Sequence, residues 1–194
     1  VADWGDTAIN ATGTTMNWAR AMGGTFAGGD NQVLTSISVA LQGSGSGDTR
    51  VAVYQGGSLS TGPDAADLIW DGGIITDSGS DAYVTTTHPG PFPALTNDAV
   101  TWISLKGNDG TVGVFYNTDN VGTDFQAALG RFATGGEIDS TEGVAWPDPW
   151  PTDSGSFGAF WYSLYFSYQS GSSTLPGYHG TNRGIFRGIN RGVG

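Results

Sequence analysis

Apolar and polar residues alternate most regularly over residues 33–42, Val-Leu-Thr-Ser-Ile-Ser-Val-Ala-Leu-Gln. Val33, Ile37, Val39 and Leu41 fall on one face, and Ser36, Ser38 and Gln42 on the other. A period of two with one apolar face predicts a strand that is buried on one side. Gly43-Ser-Gly-Ser-Gly47 then predicts a turn, and 50–55 a second strand with Val51 and Val53 inward. Further strands are predicted over 67–75 and 82–87, separated by the turn Asp77-Ser-Gly-Ser-Asp81. His88-Pro-Gly-Pro-Phe-Pro93 cannot be a central strand, because its three prolines remove three donors. Residues 99–105 and 111–116 read as a hairpin across a loop containing Asn108-Asp109-Gly110. Phe125, Ala128, Leu129 and Phe132 have helical spacing and predict one or two helical turns over 124–132. Residues 157–168 are apolar on both faces and predict a central strand covered on both sides, or on one side by a neighbouring subunit.

Seven or eight short strands with turn signals between them predict an all-β, antiparallel β-sandwich. Thirty-three glycines, 12% aromatic residues and only 13% charged residues fit that class. The sandwich is expected over 1–170, with Val39, Leu41, Val53, Ile103, Val114 and Leu164 in its core, and a Gly-rich basic C-terminal tail over 171–194. The order of Phe26, Leu34–Leu41, Thr49–Tyr54, Gly62-Pro63, Thr101–Leu105 and Phe115–Asn117 resembles a jelly-roll family found as accessory domains of bacterial secreted proteins and in phage structural proteins. That resemblance covers roughly residues 26–117 and implies a jelly-roll-like fold; it carries no catalytic motif.

Charge divides the chain. All eighteen Asp and Glu lie at or before Asp153, where only four basic residues oppose them, for a net of −14. Three of the seven basic residues lie in the last twelve, Arg183-Gly-Ile-Phe-Arg187-Gly-Ile-Asn-Arg191-Gly-Val-Gly194. A net charge of −11 argues against nucleic-acid binding by the body, because a phosphate backbone needs a basic surface. Without cysteine there are no disulfides and no thiolate metal sites, though the compartment stays open. The N-terminus does not read as a signal peptide, and no run approaches the ~18 apolar residues of a membrane span. Asn10-Ala-Thr12 is a formal glycosylation sequon of a kind that often arises by chance.

In the tail, Arg183, Ile185, Phe186, Arg187, Ile189 and Arg191 are the expected partner-binding residues. Apolar residues this frequent do not suit a purely solvated linker. Glycines at 184, 188 and 192 allow close backbone approach, as in a strand laid along a partner's sheet edge. The tail also resembles the C-termini of some phage virion proteins.

Trp146-Pro-Asp-Pro-Trp150-Pro151 holds two indoles in a loop stiffened by three prolines. Exposed, Trp146 and Trp150 beside Asp148 would form a glycan-binding platform; turned inward, they would cover the sandwich edge or bury against a neighbour. Glu137, Asp139 and Glu142 cluster in a Gly-rich loop, where two carboxylates could flank a glycosidic bond or simply be solvated. His88 and His179 lack a triad context and read as loop residues. No cofactor is expected; calcium is the most plausible ion, at Asp77–Asp81 or Asp119–Asp124, although the same residues are standard turn formers.

The expected function is therefore non-enzymatic: a structural virion protein, a phage capsid decoration or fibre subunit, docking on copies of itself or on other virion subunits. The alternative is a secreted or cell-surface carbohydrate-binding module using Trp146 and Trp150. A glycan-active enzyme using the 137–142 carboxylates is the third possibility. Neither nucleic acid nor membrane is an expected partner.

Overall fold

The computed structural model describes residues 1–10, 12–15, 19–43, 47–107, 113–117, 130–133, 138, 141–152, 156–158 and 161–171. Fourteen strands run through them: β1 (Ala2–Gly5), β2 (Thr12–Thr15), β3 (Ala19–Thr25), β4 (Gln32–Gln42), β5 (Asp48–Gln55), β6 (Asp67–Thr76), β7 (Ala82–Thr87), β8 (Ala94–Leu95), β9 (Val100–Lys106), β10 (Gly113–Asn117), β11 (Gly130–Ala133), β12 (Ser156–Gly158), β13 (Trp161–Tyr162) and β14 (Leu164–Ser170). All pair antiparallel, in two sheets. The first contains β1, β14, β4, β10 and β13, joined by β2, β7 and β8; the second runs β12-β11-β3-β9-β5-β6. The chain repeatedly switches sheet between consecutive strands, as a jelly-roll-like sandwich requires.

The core lies between the sheets. Leu34, Ile37, Val39, Leu41, Val114, Leu164 and Phe166 from the first sheet meet Met22, Val51, Val53, Ile75, Ile103 and Leu105 from the second. Val39, Leu41, Val53, Ile103, Val114 and Leu164, the residues predicted for this role, are all buried. Trp4 stacks on Phe166 at 5.0 Å and Phe26 meets Tyr168 edge-on at 5.0 Å, closing one end.

The predicted strands at 33–42, 50–55, 67–75 and 82–87 form close to their expected bounds. Four local expectations are corrected. In β4, Ser36 is opposite Ser167 and Leu34 opposite Tyr168, so Thr35 is an extra residue that bulges the ladder. The bulge inverts the alternation, and Leu34 enters the core in place of Val33. The 99–105 and 111–116 segments do form strands, but not a hairpin. β9 pairs with β3 and β5 in the second sheet, whereas β10 pairs with β2, β4 and β13 in the first. Two apolar strands joined by a short loop look alike in sequence whether they share a sheet or cross between sheets.

The apolar run 157–168 is three strands, not one. β12 belongs to the second sheet, while β13 and β14 belong to the first. Ser163 breaks the run between them: its N–H donates to the Phe115 carbonyl at 2.9 Å and its carbonyl accepts from Ala40 N–H at 2.8 Å. Of the helical segment expected over 124–132, residues 124–129 lie outside the described residues; 130–133 form β11, paired with β3 and β12. The tail beyond Gly171 also lies outside the described residues.

Candidate functional site

The second sheet is covered on its outer face as well. Ala19 and Ala21 on β3 and Ala52 on β5 leave a shallow trough beside Tyr54 and Trp102, and all five are fully buried. Gly23 belongs to the same design, because a Cβ there would run into the Trp102 ring. Trp146 and Trp150 fill the trough. Their rings stack at 5.7 Å and 26°, and Tyr54 meets both edge-on at 6.1 and 5.2 Å.

The segment 141–151 is thus a strap laid over the sheet. Trp150 N–H donates to the Ala66 carbonyl and Ala65 N–H to the Trp150 carbonyl, each at 2.9 Å. Tyr54 OH donates to the Pro147 carbonyl at 2.6 Å, and Leu68 N–H to Asp148 Oδ1 at 3.0 Å. Asp71 forms the latch. Arg50 Nε and Nη2 grip its two oxygens at 2.8 Å each, and Trp146 N–H donates to Oδ2 at 3.1 Å. Burial alone would raise the Asp71 carboxyl, but hydrogen bonds from Arg50, Trp146 N–H and Gly73 N–H outweigh it and hold the pKa below the usual carboxylate value. Arg50 Nη1 also reaches the Glu142 carbonyl at 3.3 Å. Lys106, fully buried, lies 4.9 Å from the Trp146 ring centroid, a cation–π contact. Burial pushes the Tyr54 hydroxyl far above its ordinary value, with Asp71 and Asp148 adding to the shift.

The residues proposed from sequence divide into those the structure describes and those outside the described residues. Trp146 is 4% exposed and Trp150 0%, so their ring faces serve the interior and neither offers a stacking platform to a sugar. Asp148 is exposed and ties the strap to β6. Glu142 is half-buried on the strap, while Glu137 and Asp139 lie outside the described residues. So do Arg183, Ile185, Phe186, Arg187, Ile189 and Arg191, with His179 and 119–124. Asp77 Oδ1 accepts from Gly79 N–H and Asp81 Oδ1 from Gly43 N–H, each at 2.9 Å, as turn carboxylates do. Among the described residues, no three or more His, Cys, Asp or Glu side chains gather as a metal site would need, and no helix is long and apolar enough to cross a membrane. The sequon residue Asn10 points its amide inward, donating to Asp6 Oδ2 at 2.7 Å and Ser163 Oγ at 2.8 Å.

Two features escape a reading of the sequence. Arg20, 4% exposed in the core, donates to the Tyr162 hydroxyl and lies 5.1 Å from the Tyr162 ring centroid. Burial lowers the Arg20 pKa and pushes Tyr162 up to about 12, each partly offset by the other. The second is a row of rings at the surface: Trp70 lies 4.9 Å from His88, and His88 6.0 Å from Phe92. The signal for it was present, since Trp70 lies in one predicted strand and the Pro-rich loop follows another. What joins them is the adjacency of β6 and β7 across the sandwich edge, linked by Thr86 Oγ1 donating to the Gly72 carbonyl at 2.9 Å.

No family model matches the chain, and no curated protein matches it.

Proposed function

We propose that this chain is a non-enzymatic structural subunit of a virion, a phage capsid decoration or fibre protein. In this reading it docks on neighbouring subunits, copies of itself or other virion proteins, through the Arg-Gly-apolar segment 183–193. One arrangement carries the reading. Three of the body's four cations are held by the fold: Arg20 and Lys106 are buried, and Arg50 is clamped on Asp71. Arg131 is the fourth body cation, in β11. Carboxylates at Asp3, Asp30, Asp67, Asp81, Asp98 and Asp148 are exposed. The surface described is therefore acidic, and the concentrated positive charge lies at 183–191. Opposite fields on the two parts of one chain favour and orient contact between subunits. Guanidinium groups suit such a contact because they are weakly hydrated and bond carboxylates in a fork.

The test is sedimentation velocity of the full chain, together with its co-sedimentation with phage particles. Changing Arg183, Arg187 and Arg191 together to Glu should weaken association more than changing them to Ala, and added salt should weaken the parent contact. Association that is indifferent to the Glu triple variant would overturn the reading.

A further inference from the structure

The strap turns the most conspicuous indoles inward, yet among the described residues a row of rings stays at the surface. Trp70 is half-buried, with its inner side packed on the core, and Phe92 is 41% exposed. Phe92 is the one aromatic among the large hydrophobic residues exposed in the described structure. His88 bridges them, tilted 60° to Trp70 and 57° to Phe92. We propose that the Trp70–His88–Phe92 row is a binding site for a neutral carbohydrate, with pyranose rings stacked on Trp70 and Phe92 and their hydroxyls bonded to His88 and the adjoining loop.

The row is held in place before any ligand arrives. His88 N–H donates to the Thr35 carbonyl at 2.8 Å, and Leu34 N–H to the Pro93 carbonyl at 2.9 Å, fixing both ends of loop 88–93 to β4. Gly90 N–H donates to His88 Nδ1 at 2.9 Å. Nδ1 is thus the acceptor of the neutral ring, and the hydrogen sits on Nε2 as a donor of fixed direction. Trp70 cannot swing freely because its inner side rests on the core. A site ordered in advance loses little entropy on binding, which matters for a ligand with few contacts.

The chemistry of the site selects the ligand class. A pyranose presents a C–H face to an aromatic ring and a rim of hydroxyls to polar neighbours, which fits an apolar surface with a few fixed polar groups. Prolines at 89, 91 and 93 leave the loop with carbonyl acceptors and few N–H donors. Sugar hydroxyls can donate to such carbonyls. An added peptide strand would pair poorly with the loop, because a strand ladder also needs the N–H donors that the prolines lack. The net charge of −11 repels phosphate, sulfate or uronate groups, so a neutral glycan is favoured over an anionic one. The proposal is independent of the tail, and either can fail alone.

Titration calorimetry of the full chain with hexasaccharides of β-1,4-glucose, β-1,4-xylose, β-1,4-mannose and α-1,4-glucose tests it. At least one should bind saturably, with a Kd below about 1 mM. Phe92→Ala, at an exposed position, should keep the parent melting temperature and weaken that binding about tenfold or more. Trp70→Phe, which keeps a ring against the core, should weaken it to a lesser degree. Saturable binding by none of the four, or binding unchanged in Phe92→Ala, would overturn the proposal. So would self-association that Phe92→Ala abolishes in the absence of any sugar affinity, since the row would then be a contact between copies.

Discussion

Gly23 shows how much one missing side chain can decide. It lies opposite Trp102 across the β3–β9 pair, and the Trp102 ring covers the space where a Cβ would be. Trp102 is fully buried, and its Nε1 donates to the Gly56 carbonyl at 2.9 Å, so the ring has no free direction in which to retreat. Gly23→Ala should therefore destabilise the chain by about 1–3 kcal/mol, as overpacking does, read from urea midpoints at constant m. A loss within error of zero would mean that the ring can shift. At this scale the sequence was partly legible. The core residues Val39, Leu41, Val53 and Ile103 follow from alternation alone, because a one-sided strand must turn its apolar face inward. The bulge at Thr35 does not, since the extra residue is set by the register with β14, a partner 132 residues away in sequence.

The strap belongs to the scale of elements. Its prolines and paired indoles are conspicuous in the sequence, but the direction of the rings depends on what lies beneath. That is β3, where small Ala19, Ala21 and Gly23 alternate with large Arg20 and Met22 and leave one face open. Small residues there are the complement of large ones on the strap. The latch at Asp71 makes this element sensitive to acid. The folded carboxyl titrates below its unfolded value of about 3.9, so its ionisation favours the folded state above that value. The gain is lost as pH falls through the depressed folded pKa. Urea midpoints should accordingly fall more steeply below about pH 4 in the parent than in Asp71→Asn. Parallel profiles for the two proteins would show that Asp71 is not the latch. The crossing of β9 to β10 was hidden for a related reason: strand pattern encodes which face is buried, and not which sheet the face belongs to.

At the scale of the molecule, the last described strand is β14. β14 closes against β1 and β4, and Gly171 N–H donates to the Asn31 carbonyl at 2.7 Å just beyond it. A chain ending at Gly177 should thus melt with the full chain in calorimetry, yet lose its association with particles or copies. Failure of the shortened chain to fold would place residues beyond 177 inside the domain. Retention of full association would move the docking surface to the body.

The pairing of β1 with β14 bears on mechanics. Ala2 is opposite Tyr168 and Gly5 opposite Tyr165. The first and last described strands are therefore neighbours, and Ala2 and Tyr168 lie at the same end of the pair. Tension between the two ends would meet the hydrogen bonds of that pair in succession, and not all together in shear. The seam would peel open under a weak pull. A subunit gripped only through segment 183–193 would leave the start of β1 unpulled, so the seam would not be drawn apart from both of its strands.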